Sequence, residues 1–146
     1  MSFLNAFNIS GSALTAQRMR MDVVAQNIAN AQSTRTASGE PYRRQVVTLS
    51  ENKASFKSRL SAAMGEERTV GGGVKVAGIE TDMSDFRLEY DPTHPDADEN
   101  GYVRYPNVNE TAELIDMMAA TRAFDANVTA LNSMKSMMLK ALEIGR

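Results

Sequence analysis

A chain of 146 residues, 42% of them apolar, suffices for one compact domain or for a small core with extended arms. It has no tryptophan and few other aromatics, which argues against a deep ligand pocket, and its net charge of -2 argues against a general nucleic-acid binder. It has no cysteine, which excludes disulfide and thiol chemistry.

The charge is unevenly spread. Residues 1–70 carry nine Lys/Arg against five Asp/Glu, and residues 71–146 carry seven against thirteen. That asymmetry suits head-to-tail contact between copies, although two solvated faces would look the same. The first 21 residues lack a basic start, and Asn5, Asn8, Ser10 and Ser12 interrupt any apolar run. A cleaved Sec-type signal is therefore not expected, and no stretch approaches the ~20 apolar residues of a membrane span. A route out of the cytoplasm would have to work without a cleaved signal.

From Phe3 to about Ala29 there is no proline and one glycine, Gly11. Phe7, Leu14, Met21 and Ile28 recur every seven residues, with Leu4, Val24 and Ala25 alongside. This predicts a helix of about 40 Å with one narrow apolar stripe, flanked by polar Ser10, Gln17 and Asn27, that needs a partner helix.

Residues of about 40–105 differ in character. Tyr42–Leu49, Val74–Ile79 and Tyr102–Tyr105 are β-prone, and Asn100-Gly101 is a hairpin-type turn signal. Phe56, Leu60 and Met64 suggest a short amphipathic helix, and Gly71-Gly72-Gly73 a flexible joint. The four prolines, Pro41, Pro92, Pro95 and Pro106, all fall outside the long helices.

A second long helix is expected to follow Asn109, a plausible N-cap, with Glu110 and Glu113 favourably placed in the first turn. Neither proline nor glycine occurs before Gly145, which supplies a C-terminal stop. Leu114, Met117, Thr121, Phe124, Val128, Leu131, Lys135, Met138 and Leu142 alternate by four and three, the spacing of a coiled-coil seam. Such a helix would run for ~35 residues, or about 50 Å. Half of the ten methionines lie on it: Met117, Met118, Met134, Met137 and Met138. They can serve as ordinary core filling or as a contact surface that repacks against non-identical neighbours.

The usual chemical constellations fail. His94, the only histidine, sits in a turn between two prolines, with no nucleophile in a setting such as G-x-S-x-G. Asp96–Gly101 matches the first six positions of an EF-hand loop, but the twelfth position is Asn107 where a bidentate glutamate is needed, so an acidic turn is expected and no metal site. Glu66-Glu67 and the pair Glu110/Glu113 lie in a polar loop and at a helix start, where carboxylates are usually solvated. The glycine triplet lacks a following Lys-Ser/Thr, so it is no phosphate loop. Arg35, Arg43 and Arg44 form a basic cluster without the aromatic ladder of a nucleic-acid platform. No catalytic residue and no cofactor is assigned.

Several strings occurring in order then point to a family. Asn27-Ile28-Ala29-Asn30-Ala31 with Thr34-Arg35-Thr36 resembles the N-terminal signature of the flagellar rod and hook axial proteins. Gly39–Gln45, Gly73–Ile79, Tyr90–Ala97, Asn100–Val108 and Ala120–Asn127 resemble its proximal-rod members. The resemblance covers nearly the whole chain. It implies a self-associating structural subunit of the basal-body rod in the periplasm, exported by the flagellar type III apparatus without a cleaved signal. Implied partners are further copies, other proximal-rod subunits, the distal-rod subunit and the rod–export-gate junction protein, with no nucleic acid and no membrane span. A different class of function, a soluble export chaperone or adaptor built on a helical hairpin, remains as an alternative.

The expected fold is mainly α with a small β-rich insertion, its long N- and C-terminal helices packed as a coiled-coil-like pair. Residues 1–36 would form the N-terminal helical arm and turn, 37–107 a small β-rich module with a flexible loop near 50–73, and 108–146 the C-terminal helix; the resemblance implies that both arms belong to an inner tube. The expected assembly residues are Phe7, Leu14, Met21, Asn27, Ile28, Asn30, Arg35, Arg43, Arg44, Leu114, Met117, Phe124, Val128, Leu131, Met138 and Leu142.

Overall fold

A computed structural model describes residues 3–53, 64 and 72–144. Among these residues two long helices enclose four short strands in the sequence: α1 (Phe3–Ala29), β1 (Gln45–Glu51), β2 (Val74–Thr81), β3 (Arg87–Tyr90), β4 (Tyr102–Tyr105) and α2 (Glu110–Ile144). Both helix spans match the proline-free segments. At α2 the Asn109 Oδ1 accepts the Ala112 N–H at 3.1 Å, satisfying one of the free donors of the first turn. The expected short helix through Phe56 and Leu60 lies outside the described residues; Met64 is in an exposed turn.

The strands form two separate two-stranded sheets, β1–β2 and β3–β4. Asp82 N donates to Arg44 O at 2.8 Å, and Asn52 N to Gly73 O at 2.9 Å, so the start of β1 lies beside the end of β2 and the reverse, as in an antiparallel pair. Strand β3 was not foreseen. Its apolar alternation, Leu88 and Tyr90 between Arg87 and Glu89, spans only four residues, all of them exposed, and its pairing with β4 defines it. Gly73 is less a joint than a contact point. It has φ +93°, and a Cβ there would strike the Ser12 hydroxyl and come within 3.1 Å of Ile9 Cα.

The chain divides into two compact units. One comprises Arg20–Thr48 and Gly78–Ala119; its interior holds Val23, Val24, Ala31, Val103, Pro106 and Val108 together with fully buried Asn27 and Glu113. The other comprises Met1–Met19, Leu49–Ala77 and Ala120–Arg146; its buried side chains include Ser10, Ala16 and Ala120. In this second unit Ser12 Oγ donates to Ile9 O at 2.7 Å and accepts the Val74 N–H at 3.1 Å, joining α1 to the start of β2.

Candidate assembly site

The interior of the first unit is organised by polar groups. Asn27, in the last turns of α1, has every side-chain hydrogen-bonding position occupied. Its Nδ2 donates to Gln45 O (2.8 Å) and Glu113 Oε2 (2.9 Å), and its Oδ1 accepts from Gln45 N (2.9 Å) and Tyr42 OH (3.0 Å). The side chain thus holds the first residue of β1 through both backbone groups, as a neighbouring strand would. Glu113 Oε1 accepts from Arg44 Nε at 2.6 Å. Arg44 also faces Asp82 (3.7 Å) and Asp116 (3.6 Å), and Asp116 pairs with Arg20 at 3.2 Å. Asn107 completes the network, accepting the Arg44 N–H at 2.8 Å and donating to Asp82 O and Ser84 Oγ.

These surroundings move the titrating groups. Burial works to lower the Arg44 pKa, but the hydrogen bond and charge of Glu113, with Asp82 and Asp116, outweigh it and raise the value above the ordinary one. Burial, then the Glu113 charge, pushes the Tyr42 hydroxyl up. Hydrogen bonds from the Ser84 N–H and hydroxyl, followed by the Arg44 charge, hold Asp82 below the usual aspartate value.

This geometry corrects three expectations. Glu113, read as a solvated carboxylate at a helix start, is fully buried. Ser10 and Asn27, read as flanking an apolar stripe, are interior, while Phe7, Leu14, Met21 and Ile28 lie half-buried beside them. Arg35, Arg43 and Arg44 do not act as one patch: Arg35 pairs with Asp96 at 3.7 Å, Arg43 lies 4.1 Å over the Phe86 ring, and Arg44 serves Glu113. Asn30 stays local, donating to Gln26 O and accepting from the Ser33 hydroxyl. Asn107 and Tyr42 were missed as network members; nothing in their local pattern marks them.

On α2 the seven-residue period is right and the face is turned by one residue at alternate positions. The covered series runs through Glu113, Met117, Ala120, Phe124, Asn127, Leu131 and Met134, with Val128 half-buried at its edge. Leu114, Thr121 and Lys135, expected in the seam, are exposed. Beyond Met134 every residue from Lys135 to Glu143 is exposed, including Met137, Met138, Leu139 and Leu142.

In the turn at Asp96–Gly101, Asp96 ties the turn to Thr34 and Asp98 bonds the turn's own backbone. Asp96 accepts from Thr34 at 2.8 Å, and Asp98 Oδ1 accepts the N–H groups of Asn100 and Tyr102. His94 Nδ1 accepts the Asp96 N–H at 3.1 Å. Among the described residues no group of acids, histidines or cysteines is arranged to hold a metal ion.

Comparison with known proteins agrees with this architecture at both ends. Residues 7–35 match the family model of flagella basal body rod proteins, and residues 99–144 match that of the C-terminal region of flagellar basal body rod FlgEFG proteins. The chain is 50% identical to the flagellar basal-body rod protein FlgC of Bacillus subtilis, over 100% of both chains. It is 43% identical to FlgC of Borreliella burgdorferi over 99% of this chain and 98% of the other, and 42% identical to FlgC of Salmonella typhimurium over 100% of both. The chain belongs to the FlgC family. It is a structural subunit of the flagellar basal-body rod and not an enzyme. Within the FlgC family frame, the two matched segments are α1 with its following turn, and β4 with α2.

Proposed function

We propose that the chain polymerises through its terminal helices, and that the exposed end of α2 is covered by neighbouring rod subunits. The observation that carries this reading is the uncovered run Lys135–Glu143, in which Met137 is 58% and Leu142 65% exposed. A contiguous apolar helix end of this kind marks an interaction site. Its methionines adapt to neighbours that are not identical. In the assembled shaft the helices would pack as coiled-coil-like pairs, with residues 1–36 and 108–146 forming an inner tube and 37–107 fixing orientation outside it. A heterologous contact that does not close on itself would extend the tube, transmit torque and leave an export channel. The neighbours would be further copies, other proximal-rod subunits, the distal-rod subunit and the rod–export-gate junction protein. Delivery to the periplasm would proceed through the flagellar type III apparatus without a cleaved signal.

The test is Met138→Asp combined with Leu142→Asp. Both positions are exposed in the single chain, so the purified protein should fold as before while rods fail to assemble and cells lose motility. Normal rods and swimming would refute the reading. The alternative of an export chaperone holding a client in a helical hairpin is not favoured, because the full-length relatives are rod proteins.

A further inference from the structure

The β3–β4 ribbon presents a second exposed apolar surface. Register pairs Leu88 with Arg104 and Tyr90 with Tyr102, and alternation places these four side chains on one face, opposite fully buried Val103. Leu88 is 62% and Tyr90 65% exposed, and the two tyrosine rings meet edge to face at 5.4 Å. Gly101, at φ +80° and with a built Cβ 3.0 Å from Tyr90 Cε2, lets the chain turn tightly enough to seat that pair. Beside it lies a groove of ≈ 400 Å³ lined by Asp85, Phe86, Leu88, Asp98, Tyr102 and Arg104. Tyrosine, leucine and arginine around a groove rimmed with charge make a surface suited to a protein helix.

The end of α2 carries the complementary pattern. The groove offers two acids and one base, Asp85, Asp98 and Arg104; the helix end offers two bases and one acid, Lys135, Lys140 and Glu143, around Met138, Leu139 and Leu142. We infer that the ribbon groove of one copy receives the Lys135–Glu143 end of α2 from a second copy. This rests on the reading that a neighbour covers that helix end, and it names the covering surface. Opposed rim charges fix register and suppress wrong partners, while the apolar side chains supply the contact area. Nine helical residues span only about 13 Å. The contact is therefore well short of the roughly 800 Å² per partner of a standard stable interface, and it operates inside an assembly and not in a free dimer.

The absence of cysteine makes the test direct. Basal bodies are isolated from cells producing Leu142→Cys alone or Leu142→Cys with Leu88→Cys, both at exposed positions. Expected are protection of the thiol introduced at position 142 from maleimide in assembled rods and an intermolecular disulfide in the double variant on mild oxidation. Lys135→Glu with Lys140→Glu should lower the cross-linked fraction by about tenfold, and Asp85→Lys in the same chain, which leaves the Asp98 turn intact, should restore part of it. Protection without a cross-link between the two introduced thiols overturns the ribbon as partner and leaves the covered helix end standing. A freely reactive thiol at position 142 in assembled rods overturns both.

Discussion

The two ends of α2 are built on opposite physical terms. In its first turns Glu113 is wholly buried, and its charge is met by Arg44 and Asn27 of the same chain. In its last turns nine consecutive residues are exposed, four of them large and apolar. One end is complete within a single copy, whereas the other exposes material that a stable monomer would ordinarily hide. Long helices draw most of their stability from tertiary packing of one face, so a helix covered at one end only takes that stability from the covered end, and on the proposed reading the other end is left for assembly.

The contrast is most severely tested at the covered end. Glu113→Ala removes a buried carboxylate and leaves the Asn27 amide and the Arg44 guanidinium without their principal partner. Breaking a buried pair typically costs about 3–5 kcal/mol, and the expected value is about 3 because Arg44 still reaches Asp82, Asp116 and some water. Denaturant unfolding of the purified chain measures it; a cost under about 1 kcal/mol would mean the network holds little. Asn27→Ala should follow at about 2 kcal/mol, since it strips the N–H and carbonyl of Gln45 and the Tyr42 hydroxyl of partners. The corresponding change at the other end, Met138→Asp with Leu142→Asp, should leave stability alone and abolish assembly.

How far this division could be read in advance follows from what apolar patterning can see. The spans of α1 and α2 were legible because proline is absent from both and Asn109 is a recognisable cap. The two-sheet region between them was legible in part: β2 and β4 came from runs of β-branched and aromatic residues, and β1 was placed within a few residues. Strand β3 was not, because the alternation in Arg87-Leu88-Glu89-Tyr90 is only four residues long and its register with β4 is what defines it. The interior faces were misplaced for one reason. Hydropathy assigns Asn and Glu outward, yet Asn27 and Glu113 can lie inside because they bond each other, β1 meets Asn27 and Arg44 meets Glu113, all partners distant in sequence. The seven-residue period survived this error, and only its rotation about the axis did not.

Within the second unit, Gly73 separates a structural contact from a passive joint. Gly73→Ala asks a side chain to adopt φ +93° and to displace Ser12, the residue that bonds the Val74 N–H. The expected loss is about 1–2 kcal/mol, read as a lower unfolding midpoint. A neutral result would show that α1 and the start of β2 are not held together there.

Acid should act first on the network side. Asp82 is held below its ordinary value by Ser84 and Arg44, and Asp91 by the Thr93 hydroxyl and N–H. A depressed carboxylate contributes stability above its unfolded value and loses it as pH falls through the folded one, so the decline belongs below the usual aspartate value of 3.8. Tyr42 has the opposite sign: its raised value makes its contribution complete below pH 10 and lost as pH rises beyond it. Unfolding midpoints followed across both windows test the signs, and a profile flat through acid would remove Asp82 and Asp91 from the account.

The smallest expected effect tests the exposed end most directly. Leu139→Gln replaces an apolar side chain, 53% exposed, with a polar one of similar length and good helix propensity. If no part of the same chain covers Leu139, little apolar area is returned to water on unfolding, and the change should stay within about 0.5 kcal/mol. A loss of about 2 kcal/mol or more, the size seen for core leucines, would mean that the single chain already covers its own helix end. Assembly would then have to be driven from somewhere else on the subunit, because a surface already satisfied within one copy has no free energy left to give a neighbour.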